Sequence, residues 1–205
     1  MNPLRAENIR AVLFDFGGTL DSDGVNWKER YYPIYRRAGY RWSFRTFQKL
    51  FFEADDYLTA RGLDRENFRQ TLELQATTLL EKAGQPNRKN ALKIAGEFRS
   101  ESMKYIRRNL PLLRKLSTRY NLAILSNFYG NAETVCRDLK IAPYCRTIVD
   151  STRAGYLKPD PGIFRAALKA LRIPPEHALF VGDSVSRDMR GAKQLNMPHI
   201  WLKGK

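Results

Sequence analysis

Apolar and polar positions recur along the chain with two different periods, and the switch between them divides it into three stretches. Near the start, the apolar run Val12-Leu13-Phe14 stops at Asp15, and Gly17-Gly18 follow at once. Such a run bounded by a glycine turn predicts a buried parallel strand with the acid at its carboxyl end.

Residues 21–108 lack strand-like runs and carry four helical patterns. The first spans Asn26 to Ala38, with Trp27, Tyr31, Ile34 and Tyr35 near helical spacing. Ser43 caps the second, which carries Phe44, Phe47, Leu50, Phe51 and Leu58. Asp64 is expected to cap the third, where Phe68, Leu72, Leu79 and Leu80 recur before Gly84 and Pro86 end it. The fourth runs from Asn87 to Arg108 through Ile94, Ala95, Phe98, Met103 and Ile106. Aromatic residues in these stripes read as bundle core.

Beyond Pro111 the pattern becomes an alternation of helices and strands. Helices are predicted over Pro111–Tyr120, Asn131–Lys140, Asp160–Leu171 and Ser186–Leu195, and strands over Leu122–Leu125, Thr147–Val149, Ala178–Val181 and His199–Leu202. Short strands separated by helices predict a parallel, doubly wound sheet. The expected fold class is therefore α/β: a Rossmann-like parallel sheet with helices on both faces, built from 1–21 and 109–205, with an α-helical bundle inserted over 22–108.

Ligands bind at the carboxyl ends of strands in such sheets, and chemically capable residues collect there. The first strand delivers Asp15, the second Ser126 and Asn127, and the last motif Gly182-Asp183-Ser184 with Asp188 four residues beyond Ser184. Lys158 lies in the run Gly155-Tyr156-Leu157-Lys158-Pro159-Asp160-Pro161. An aspartate can attack phosphorus as a nucleophile. Mg²⁺ held by Asp15 and Asp183 would cancel its repulsion from a phosphate dianion. Lys158 would offset charge, and Ser126 with nearby backbone amides would meet the phosphoryl oxygens. Asp188 would orient Lys158 or hold a metal-ligated water.

Composition narrows the picture. The chain has 205 residues and a net charge of +15. Residues 22–108 hold 18 basic and 11 acidic side chains, and the remainder 18 and 10, so the excess is spread evenly. That distribution favours attraction of anionic small molecules over specific nucleic-acid binding. No uncharged apolar stretch reaches the ~20 residues of a membrane helix, and Met1 to Arg10 lacks the pattern of a secretory leader. Cys136 and Cys145 make no disulfide framework. A cytoplasmic protein is expected, and His177 and His199 are assigned no role.

The four strand-end motifs, in this order, resemble those of the haloacid dehalogenase superfamily. The resemblance covers roughly residues 9–21 and 109–205 and places 22–108 where that family inserts a helical cap. It implies an Mg²⁺-dependent phosphatase-type hydrolase. Asp15 would be the nucleophile, with Ser126 and Lys158 beside it. Gly18, Thr19, Ser126, Asn127 and Lys158 would meet the phosphate; the metal would rest on Asp15, the Gly17 carbonyl and Asp183, with Asp188 behind them.

Phosphatases of this family carry a second aspartate where this chain has Gly17. Glycine cannot transfer a proton, and general acid–base catalysis contributes ~10²–10⁴-fold. Three readings stay open. Another carboxylate stands in, with Asp21, Asp23, Asp55 and Asp56 as candidates. The same nucleophile serves carbon–halogen or carbon–phosphorus cleavage, the latter needing a lysine such as Lys28 or Lys49. Or the pocket binds a phosphorylated ligand without turnover.

Overall fold

The computed structural model describes residues 8–204. The first seven positions of the expected core segment, which include most of the stretch read for a leader, lie outside the described residues, as does Lys205.

Five strands form one parallel sheet in the order β3-β2-β1-β4-β5. They are β1 (Ala11–Phe14), β2 (Asn121–Ser126), β3 (Cys145–Asp150), β4 (Ala178–Gly182) and β5 (His199–Trp201). β1 is central, with Phe14 level with Ile124 on one side and Val181 on the other. Strand side chains alternate between faces, which splits the apolar run of β1 in two. Ala11 and Leu13 pack with Ile163, Phe164 and Ala167 beneath one face. Val12 and Phe14 join a larger cluster that continues without a break into the inserted helices.

Those helices are α1 (Trp27–Arg37), α2 (Phe44–Arg61), α3 (Phe68–Lys82) and α4 (Arg88–Ser117). The shared cluster runs through Tyr31, Phe47, Leu72 and Phe98, all essentially inaccessible to solvent. Fully burying one such side chain stabilises by about 1.5–3 kcal/mol, so the insert is held to the sheet by packing as well as by its two connections.

Several boundaries differ from expectation. The helix expected to stop at Arg108 and the one expected to begin at Pro111 are the single 30-residue α4, with Pro111 inside it. A proline removes one backbone donor from a helix interior. Here the apolar spacing persists across it, with Ile106 and Leu113 buried and Leu110 and Leu116 packed on the cluster, and that burial carries the helix through. The third helix is capped by Asn67 rather than Asp64: Asn67 and Gln70 exchange side-chain and backbone hydrogen bonds in a capping box, which satisfies two orphan groups where Asp64 would satisfy one. Asp64 instead pairs with Arg153.

The remaining helices are α5 (Ala132–Asp138), α6 (Ser151–Ala154), α7 (Pro161–Leu171) and α8 (Arg190–Gln194). Residues 185–189 form a π-helical turn ahead of α8, where an α-helix was expected to begin at Ser186. Among the described residues no helix is long and apolar enough to cross a membrane.

Candidate active site

Parallel strands bring their carboxyl ends to one edge, and the chemistry gathers there. Asp15 follows β1 directly, its N–H donating to the Val181 carbonyl of β4 at 2.9 Å. Lys158 Nζ donates to Asp15 Oδ1 at 2.6 Å and lies 2.7 Å from Asp188 Oδ1. All three side chains are buried. Asp183, immediately after β4, completes a group of three carboxylates: Asp15, Asp183 and Asp188 each place an oxygen within 4.8 Å of the others, close enough to hold a metal ion.

One lysine does not balance three carboxylates, two of them buried and Asp183 half-buried. Burial, reinforced by the Asp15 and Asp188 charges, pushes the Asp183 carboxyl up to about 8. Burial also raises Asp188, against the pull of Lys158. Burial works to lower the Lys158 ammonium, but Asp15 and Asp188 outweigh it and hold it above its ordinary value. A hard divalent cation with oxygen ligands is the group this donor set fits.

The residues around this centre divide into those facing the crevice and those holding it in shape. Ser126 and Asn127 line a crevice of about 240 Å³ together with Asp15, Gly17 and Lys158. Asn127 also grips the lysine loop: Lys158 N–H donates to its Oδ1 at 2.8 Å, and its Nδ2 donates to the Lys158 carbonyl at 3.2 Å. Gly18 and Thr19, expected at the phosphate, spend their donors elsewhere. The Gly18 N–H goes to Asp21 Oδ1 at 2.7 Å and the Thr19 hydroxyl to Asp183 Oδ1 at 3.2 Å. Gly18 has φ +93°, and a Cβ on it would lie 2.6 Å from Asp183 Oδ2. Glycine is needed there on both counts.

Position 17 is occupied in a different sense. A Cβ on Gly17 would sit 3.0 Å from Trp27 Nε1 and 3.3 Å from its Cδ1. The indole therefore takes the space where a side chain would project. It is wedged edge-on against Phe16, Phe98 and Phe128, and its N–H donates to Asp21 Oδ2 at 2.9 Å.

Of the four stand-in candidates, Asp21 is sealed. It is fully buried and accepts from the Gly18 amide, the Trp27 indole, Arg30 at 2.8 Å and Ser102 at 3.1 Å. Arg30 lies over the Phe98 ring at 4.1 Å and also donates to Ser102 at 2.7 Å. Asp23 faces solvent and pairs with Arg108. Asp55 and Asp56, both on α2, line the crevice. Tyr129 Oη donates to Asp55 Oδ1 at 2.5 Å, and burial pushes the Asp55 carboxyl up to about 7. Of the two lysines considered for carbon–phosphorus chemistry, Lys28 lines the crevice and is lowered by burial, whereas Lys49 is an exposed partner of Glu53.

Sequence reasoning missed Trp27, Arg30, Ser102 and Tyr129 as shapers of this site. One signal was present: Arg30 interrupts the apolar stripe Trp27-Tyr31-Ile34, and a charge on a buried helix face demands a partner. A second, more open hollow of about 480 Å³ against the end of α4 is lined by Arg107, Arg114 and Lys115 and by no carboxylate.

Comparison with known proteins gives the family. The family model for haloacid dehalogenase-like hydrolases matches residues 9–196. Glyceraldehyde 3-phosphate phosphatase of Pyrococcus abyssi is 35% identical over 97 residues, 47% of this chain and 40% of that protein. Phosphoserine phosphatase of Thermus thermophilus is 37% identical over 62 residues, covering 30% of this chain and 25% of that one. The aligned part is thus less than half the length of these curated relatives. Among solved structures, a dehalogenase captured with an intermediate covers 97% of this chain and 87% of its own at TM-score 0.63 and 19% identity. The HAD-hydrolase YfnB of Bacillus subtilis covers 94% and 88% at TM-score 0.55 and 18% identity. At these identities the structures share the fold.

Proposed function

Because the chain belongs to the haloacid dehalogenase-like hydrolase family, we propose that it is an Mg²⁺-dependent hydrolase that takes the phosphoryl group from an anionic small molecule through an aspartyl-phosphate on Asp15. The carrying observation is the buried Asp15 at a strand end, 2.6 Å from Lys158 and grouped with Asp183 and Asp188. The relatives named as phosphatases support the same choice.

In this reading Lys158 fixes the Asp15 carboxylate through Oδ1 and offsets its charge as it meets the phosphoryl group. Ser126 donates to a phosphoryl oxygen, and Asn127 keeps the lysine loop in register. Asp15, Asp183 and the Gly17 carbonyl would hold the metal, with Asp188 reaching it through water. When bound, the ion neutralises phosphoryl oxygens and relieves the carboxylate repulsion. Residues 22–108 act as a cap that selects the substrate and excludes water from the crevice, over a core of 1–21 and 109–205. The protein works in the cytoplasm.

Two observations favour other readings. Trp27 filling the space at Gly17 suits a pocket that binds a phosphorylated ligand without turnover. The lowered Lys28 in the crevice suits carbon–phosphorus cleavage through a Schiff base. The deciding experiment is Mg²⁺-dependent phosphate release from acetyl phosphate, p-nitrophenyl phosphate and sugar phosphates, with Asp15→Asn beside wild type. Release that disappears in the variant and without metal is expected. Ligand-dependent thermal stabilisation with no release would establish the binder, and phosphate released from a phosphonate alone, sensitive to Lys28→Arg, the Schiff-base enzyme.

A further inference from the structure

With Gly17 in place of an acid, alkyl phosphates need a proton from somewhere else, and the inserted helices bring one carboxyl to the crevice in the right company. Asp55 lies on α2, yet its partner is Tyr129, three residues beyond Ser126 on the loop after β2. The same loop residue anchors the end of α2 through its backbone, where Leu63 N–H donates to the Tyr129 carbonyl at 2.7 Å. The helix end and the strand end are thus clamped together at two points, with Asp55 and Asp15 lining one cavity. Asp21 cannot take this role, because its oxygens already accept four side-chain and backbone donors. Asp23 points to solvent with Arg108.

We infer that Asp55, positioned by Tyr129, protonates the leaving oxygen and then activates water, replacing the acid that Gly17 removes; this rests on the phosphatase reading above. Its surroundings suit the task. Besides Tyr129, the groups acting on it are Arg187 across the crevice, Asp56 on its own helix and the Gln75 amide on α3. The Tyr31 hydroxyl of α1 is also near. Asp55 is half-buried and lines the crevice beneath these groups. Burial accordingly keeps it in the acid form up to about pH 7, and an acid of that strength is matched to work near neutrality.

The steps balance. An Asp15 oxygen bonds to phosphorus as the bond to the leaving oxygen breaks. That oxygen keeps the electron pair and takes the Asp55 proton, leaving as an alcohol. Asp55, now a carboxylate, removes a proton from water as the water oxygen attacks the aspartyl-phosphate. Phosphate departs, Asp15 is again a carboxylate and Asp55 again an acid.

The test is the leaving-group dependence of Asp55→Asn, an isosteric change whose folding is checked by circular dichroism and melting. Steady-state release from a sugar phosphate is expected to fall ~10²–10⁴-fold. With p-nitrophenyl phosphate, whose leaving group needs no proton, a burst of nitrophenolate approaching one per enzyme should precede slow turnover, because the second step lacks its base. Tyr129→Phe removes a hydrogen bond that favours the Asp55 carboxylate, so the alkaline limb of kcat/KM for the sugar phosphate should move to higher pH. Equal slowing of both substrates without a burst, or no slowing, in an enzyme that still depends on Asp15, overturns the assignment and leaves the phosphatase reading standing. Activity that survives Asp15→Asn, or no phosphate release from any substrate, overturns both.

Discussion

Two buried clusters, anchored by aspartates six positions apart, are built on opposite electrostatic terms. Around Asp21 a single carboxylate meets Arg30, Ser102, the Trp27 indole and the Gly18 amide. Around Asp15 three carboxylates share one lysine. The first is satisfied as it stands and ties the loop after β1 to α1 and α4. The second has a negative excess, which burial makes costly and which only a further cation or a bound proton can relieve. A cluster complete without a ligand holds the structure together; one left charge-deficient is where a ligand belongs.

Removing one partner should therefore act oppositely in the two places. Asp21→Ala strands the buried Arg30 and leaves three other donors without their acceptor, and a loss of about 3–5 kcal/mol is expected, measured by urea unfolding. Loss below 1 kcal/mol would mean that the network carries little. Next in size is Gly17→Asp, the change that restores the family's acid. The new side chain meets Trp27, so about 1–3 kcal/mol of overpacking is expected in the melting curve with no gain in sugar-phosphate turnover. Adding Trp27→Ala should recover part of the stability, and a faster single variant would show that the indole moves aside.

The charge-deficient cluster predicts an effect that depends on pH. The folded Asp183 carboxyl titrates at about 8 against an ordinary value of 3.8. A group whose pKa is raised on folding contributes most when protonated, so metal-free stability should fall as pH rises between about 4 and 8. Mg²⁺ should raise the melting temperature more at pH 8.5 than at pH 5. Asp183→Asn should flatten the pH dependence and abolish the metal response, even as it stabilises the metal-free protein at high pH. Smallest of all is Arg108→Ala, which breaks the exposed pair with Asp23; 0–1 kcal/mol is expected, and a larger loss in urea unfolding would give that pair a structural part it lacks on geometry.

Much of the architecture was legible because local patterns encode it. The β1 run ending at Asp15 and the apolar stretches at 122–125 and 178–181 became neighbouring strands, and parallel crossovers leave little choice about which ends meet. Helix ends were harder. Pro111 signalled a start where burial carried α4 straight through, and Asp64, expected to cap α3, gave way to Asn67, whose bond with Gln70 is reciprocal. The stand-in candidates show the limit most clearly. Asp21, Asp23, Asp55 and Asp56 are alike in the sequence, yet one is sealed, one faces solvent with an arginine, and two line the crevice.

Sequence alone determined the parallel sheet, the helical insert and the set of residues delivered to one edge, since periodicity and the order of strand ends are properties of short stretches. Tertiary structure alone decided what surrounds each carboxylate. Asp21 finds Ser102 81 positions away, Asp15 finds Lys158 143 away, and Tyr129 meets Asp55 across 74. Burial and charge, which set the chemistry of an acid, depend on such distant partners. Packing brings those partners together, and no local spacing announces them.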